Sequence, residues 1–208
     1  MSSRIAIYNF KGGVGKTRIA LNLALSFPEF GLVTNESYND IDQFLGPDAF
    51  IKVAPGAAFP KIEGQSCIFD LGGYVDPRVG GVLKSCDWVI VPTLCDLLDF
   101  RVTIRAIREM EPYNKRVVVV LNQAKKEDLP LFLETFGPLG LPLFTLRKSM
   151  ALTDMLLERR SVAALAADGG LRRHSYGPVS GDFDRLFESL GLSPQETKEE
   201  AWKKAKAV

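Results

Sequence analysis

The chain has 208 residues, 46% of them hydrophobic, and a formal net charge of +1. That length suits one α/β domain with a substantial core, the hydrophobic share is ordinary for a globular protein, and the sequence shows no repeats or low-complexity segment. No apolar run is long enough to span a bilayer, and the chain enters an expected strand at once, with no signal-peptide pattern.

Expected elements follow one another in a regular order. A strand at residues 4–8 leads into Phe10-Lys11-Gly12-Gly13-Val14-Gly15-Lys16-Thr17 and then a helix over 16–26. Strand, glycine loop and helix together make a phosphate cradle. The glycines let backbone N–H groups close around an anion, and the helix adds its positive end. Lys16 is placed to neutralise β- and γ-phosphates and the Thr17 hydroxyl to ligate Mg²⁺. Strands are next expected at 32–34, 50–53 and 67–69. The last ends in Asp70, followed by Gly72 and Gly73. A carboxylate there acts on Mg²⁺ through water, and the glycines permit a mobile loop near the γ-phosphate. A helix over 78–85, a strand at 88–91 and a helix over 97–111 come next. They are followed by a strand at 116–121 ending in Asn122, a helix over 129–136, a strand at 142–144, and helices over 151–159 and 183–190. Alternation of this kind predicts an α/β fold of three layers: a mostly parallel twisted sheet with helices on both faces, of the P-loop NTPase type.

Three cysteines, Cys67, Cys86 and Cys95, are odd in number and form no C-x-x-C pair. They read as reduced thiols rather than a metal site. The single histidine, His174, sits in an Arg-rich tract expected to be an exposed loop.

The run Lys11-Gly12-Gly13-Val14-Gly15-Lys16-Thr17 resembles the deviant Walker A motif of the ParA/MinD family, whose pattern is K-G-G-x-G-K-T. The resemblance extends in order from the first strand to about residue 162, and in length and layout it is nearest to small single-domain ParA-type plasmid partition proteins. It implies that Lys11 crosses a dimer interface to phosphates on the other subunit. ATP, with Mg²⁺ on Thr17 and Asp70, would thus hold a homodimer together. It implies binding of the cofactor by Lys11, Gly12, Gly13, Val14, Gly15, Lys16 and Thr17; Arg18, which departs from the family pattern, is expected by its own chemistry to hold phosphate or form an interface salt bridge. It also implies recognition of adenine by Asn122, and a loop at Leu146, Arg147 and Lys148 that covers the base. Lys11, Lys16 and Asp70 are the residues implied in catalysis. In cellular terms it implies a cytoplasmic, nucleoid-associated protein working with a ParB-like or other cargo adaptor. Related alternatives are a non-hydrolysing scaffold that regulates a partner and an accessory ATPase of conjugative DNA transfer.

Two departures bear on hydrolysis. Asn35 and Ser37 stand where the family carries two aspartates beyond its second strand, and Arg18 replaces a second threonine. Neither Asn35 nor Ser37 supplies a carboxylate base. Glu36 between them would face the other way if the strand continued. Binding is therefore expected to persist while hydrolysis is slow, absent or partner-dependent.

Charge is unevenly spread: residues 36–99 carry a balance of −6 and residues 100–173 one of +5. On the expected helix over 97–111, Arg101, Arg105 and Arg108 share one face. In ParA relatives, non-specific DNA binding follows dimerisation, and these three arginines are the candidates for it, with Arg159-Arg160 and Arg172-Arg173 behind them. Residues 1–192 are expected to form the ATPase domain and 193–208 a helical tail. That tail offers one large apolar residue, Trp202, too little to hold a membrane surface.

Overall fold

The computed structural model describes residues 2–36, 40–62, 64–73 and 76–193. Ser37 and the expected tail helix beyond 193 lie outside the described residues. Among those described, seven strands form one sheet: β1 (Arg4–Ile7), β2 (Gly31–Thr34), β3 (Phe50–Lys52), β4 (Cys67–Asp70), β5 (Trp88–Thr93), β6 (Val117–Ala124) and β7 (Leu143–Arg147). Their order is β3-β2-β4-β1-β5-β6-β7 and every pairing is parallel.

Among the described residues, seven α-helices cover the two faces: α1 (Lys16–Ser26), α2 (Val79–Ser85), α3 (Leu97–Met110), α4 (Leu129–Phe136), α5 (Ala151–Glu158), α6 (Val162–Ala167) and α7 (Gly170–Ser189). Side-chain alternation along the strands assigns the layers. In β1, Ile5 and Ile7 face a core built with α1, α5, α6 and α7. Ala6 and the following Tyr8 face the opposite core, built with α2 and the end of α3. α4 and Phe100 of α3 pack on the outer part of that second face, over Val119 and Leu121. Buried on both sides, the inner strands read as continuous apolar runs, as a covered parallel sheet requires.

One segment differs from expectation. His174 does not lie in a loop: residues 170–189 are one helix, and His174 is an exposed position on it. Gly177, Pro178 and Gly181 weaken helix propensity through this stretch. Packing overrides that local preference, because Val179, Phe183, Leu186 and Phe187 are buried against α6 and the sheet.

Sheet register positions the site. Ile7 of β1 and Thr34 of β2 both stand opposite Asp70 of β4. The segments leaving these three strands therefore emerge side by side at the carboxyl edge of the sheet, the usual ligand crevice of open α/β folds.

Candidate functional site

The glycine loop leaves β1 and turns into α1 through Gly15, whose φ of 94° is a left-handed conformation suited to glycine. A Cβ at this position would stand 2.2 Å from Asn122 Nδ2. α1 then begins at Lys16 with no acidic residue in its first turn and no side-chain cap. Its leading N–H groups and helix dipole favour an anion.

Lys16 is 5% exposed, and its Nζ donates to the Lys11 carbonyl at 3.1 Å. Burial pulls its pKa below the ordinary lysine value, opposed by the negative charges of Glu36 and Asp70. Thr17 Oγ1 donates to Asp70 Oδ2 at 2.8 Å, and Asp70 is fully buried. A hydroxyl and a carboxylate oxygen this close, beside a phosphate loop, are a donor set suited to a hard, oxygen-seeking cation that also binds phosphate oxygens. Among the described residues, no cluster of three or more His, Cys, Asp or Glu side chains forms a self-sufficient metal cage.

Lys11 lies apart from Lys16. Its Nζ pairs with Asp99 Oδ1 at 3.2 Å, and its side chain stays 45% exposed. Asp99 belongs to the first turn of α3, which Asp96 caps by accepting from the Leu98 and Asp99 N–H groups. Leu97 and Leu98, 62% and 66% exposed, flank this ion pair on the same turn.

A cavity of about 510 Å³ opens over the loop, within the size range of small-molecule sites. One wall is Gly12, Gly13, Gly15, Lys16, Thr17 and Arg18; the other includes Asn122, Gln123, Lys148, Ser149, Met150, Leu152 and Thr153. Asn122 is reached because β6 continues through a register break, with Gln123 at φ 54°. Its Nδ2 donates to the Val14 carbonyl at 2.9 Å and its Oδ1 accepts from the Gln123 N–H at 2.9 Å. The amide has a second hydrogen and a second lone pair, and so keeps the donor and acceptor that adenine recognition needs.

Three residues fall elsewhere than expected. Leu146 is fully buried in the core, so its side chain does not cover the cavity. Arg147 turns away to form a two-pronged pair with Asp182 of α7, Nε to Oδ2 at 2.7 Å and Nη2 to Oδ1 at 2.9 Å. Of the expected loop only Lys148 lines the cavity, continued by Ser149, Met150 and the start of α5. Glu36, by contrast, lines the cavity. β2 ends at Thr34, so strand alternation no longer governs which way residue 36 faces. Asp40 and Asp42 are exposed and do not line the cavity.

Arg101, Arg105 and Arg108 are all exposed on α3, and Arg105 pairs with Glu109 one turn on at 2.8 Å. Arg160 and Arg172 are engaged with Glu158 and Asp168 in a four-residue network, which leaves them less available to a polyanion. Cys67 and Cys86 are buried free thiols pushed up to about 12 by desolvation.

No family model matches the sequence, and neither does any curated protein. Solved structures do match. The ATP complex of a Cyanothece McdA variant superposes with a TM-score of 0.68 at 13% identity, over 94% of this chain and 99% of that one. The MinC:MinD cell division complex of Aquifex aeolicus gives 0.64 at 15% identity, over 95% and 99%. A ParA family ATPase of Chlorobium tepidum gives 0.60 at 18% identity, over 88% and 99%. The chain has the α/β fold of these ATPases across nearly its whole described length.

Proposed function

We propose that this protein is a ParA-like, ATP-binding switch of the ParA/MinD family. Two copies would enclose Mg-ATP face to face, and the dimer would bind DNA non-specifically to partition or position plasmid DNA. One observation carries most of the weight: two lysines leave the same glycine loop for different places. Lys16 lies buried over the cradle while Lys11 sits half-exposed at its rim on Asp99. A lysine at the rim can serve a phosphate held by another copy, whereas Lys16 serves its own.

In this proposal the loop N–H groups and Lys16 bind the phosphates, and Asn122 reads the base. Thr17 and Asp70 would hold Mg²⁺, which when bound would supply charge neutralisation at the phosphates, and Arg18 adds a cation at the mouth. Lys11 must leave Asp99 before it can cross to the partner copy.

Size measurement with ATP, with ADP and without nucleotide, for wild type and Lys11→Ala, tests the switch. A dimer with ATP alone that disappears in the variant is expected. A monomer under every condition would reject the proposal.

Hydrolysis is proposed to be weak or partner-dependent, because Asn35 supplies no carboxylate and is committed to hydrogen bonds within the chain. Loss of a water-positioning group costs on the order of a hundredfold in rate. A phosphate-release assay with and without DNA checks this; rapid turnover by the protein alone would contradict it. The same observation favours, as a second reading, a non-hydrolysing nucleotide-binding scaffold that regulates a partner.

A further inference from the structure

A buried cluster ties the end of β2 to the segment leaving β4. Asn35 is 1% exposed. Its Oδ1 accepts from the Gly72 N–H at 2.7 Å, and its Nδ2 donates to Asp76 Oδ2 at 3.2 Å. Arg78 closes the far side. Its Nε donates to Asp76 Oδ1 at 2.8 Å, its Nη2 to Oδ2 at 2.6 Å, and its backbone N–H to Oδ1 at 3.0 Å.

One residue beyond Gly72, the chain lies directly on the phosphate loop. A Cβ at Gly73 would meet the Phe10 carbonyl oxygen at 2.7 Å and Lys16 Nζ at 3.3 Å. The Asn35 side chain thus fixes, through a single peptide unit, the piece of chain that touches the phosphate-binding lysine.

The chemistry of this cluster requires an amide. Position 35 must accept from an N–H with one atom and donate to a carboxylate with the other, and an ionised aspartate only accepts. The Arg78 guanidinium holds the Asp76 carboxyl below its ordinary range, so Asp76 is charged at neutral pH. An aspartate at position 35 would set two carboxylates in hydrogen-bond contact inside the protein, where like charges raise one another's pKa and repel.

We infer that Asn35 is a positioning residue of the nucleotide site, its amide dictated by Asp76. The Asn35–Asp76–Arg78 clasp holds Gly72 and Gly73 in place over Lys16, where the γ-phosphate of a nucleoside triphosphate would be sensed. This inference rests on the proposal that the cavity takes such a nucleotide. Restoring the family's aspartate at position 35 would, on this basis, damage the site rather than repair it.

The test compares wild type, Asn35→Asp and Asn35→Ala. Asn35→Asp sets a second carboxylate against Asp76, whereas Asn35→Ala deletes both hydrogen bonds without adding charge; both leave the Asp76–Arg78 pair in place. Two quantities are read on the full chain: hydrogen exchange at the Gly72 amide without nucleotide, and the ratio of affinities for a fluorescent non-hydrolysable ATP analogue and its ADP counterpart. Both variants should speed exchange and lower the ATP-to-ADP ratio, each by about tenfold or more, the scale of one charge-assisted hydrogen bond. Variants that match wild type in both quantities overturn the clasp. Should Asn35→Asp fail to fold by circular dichroism, Asn35→Ala carries the test. If wild type binds neither nucleotide, the nucleotide proposal fails by itself, while the exchange arm still decides whether the clasp holds Gly72.

Discussion

Lys11 and Asp99 illustrate how much of this site is set by single side chains. The ion pair is half-exposed on the lysine side, so it is worth only about 0.2–1 kcal/mol. It nevertheless competes with any use of Lys11 by a partner copy. Asp99→Asn should therefore tighten ATP-dependent dimerisation by about 1.4- to fivefold, the fold-change equivalent of that energy, in sedimentation equilibrium. Weaker dimerisation would mean that Asp99 guides Lys11 rather than restrains it. Asp76 makes a different kind of prediction. Its folded pKa is depressed, with Arg78 as the principal cause. The stability it contributes is thus complete above its unfolded pKa of about 3.9 and is lost as pH falls through the lower folded value. Chemical denaturation of wild type and Asp76→Asn across about pH 2–6 should show a flatter acid limb in the variant. At this scale the sequence singled out Lys16 and Thr17 by the loop pattern and Asp70 as a carboxylate ending a strand, and the fold brings the three together. It did not disclose Asp99, Asp76 or Glu36. Each reaches the site through a tertiary contact that no local spacing signals.

At the scale of elements, the strands were legible from their apolar runs, and the helices α1 to α5 from their periodicity or flanking signals. α6, and α7 before Phe183, were not. α7 carries Gly177, Pro178 and Gly181 in its interior, and its early turns are specified by what they pack on. One tie is polar. Asp182 is 1% exposed and receives Arg147 from the end of β7 and Arg185 from its own helix. Arg147 therefore pins α7 to the sheet edge beside the Lys148–Met150 wall, instead of covering a base. Replacing it with alanine should cost about 1.5–3 kcal/mol, the range for hydrogen bonds to charged groups, with Arg185 left to compensate in part. Urea denaturation measures this. A change below about 0.5 kcal/mol would mean that the pair is surface-like in energy.

For the whole molecule, the net charge of +1 conceals a basic half, and the fold presents three of its arginines on one exposed face of α3. If the proposed dimer uses that face on DNA, binding should weaken steeply with salt. Arg105→Glu should lower affinity across unrelated sequences and reduce the salt slope by about one for each phosphate no longer neutralised. Filter binding over a salt series checks this; an unchanged slope would assign DNA binding to another face or to none. The amino-acid sequence by itself determined the class of the fold and the place of the phosphate cradle. Both follow from short-range rules: strand-length apolar runs, helical periodicity, and glycines spaced between a strand and a helix. Only the tertiary structure decided that Leu146 and Arg147 serve the core and α7, that Glu36 faces the cavity, and that Asn35 is bound to Gly72 and Asp76. Those outcomes depend on where β2, β4 and β6 end relative to one another, and sheet register is a long-range property that no neighbouring residues encode.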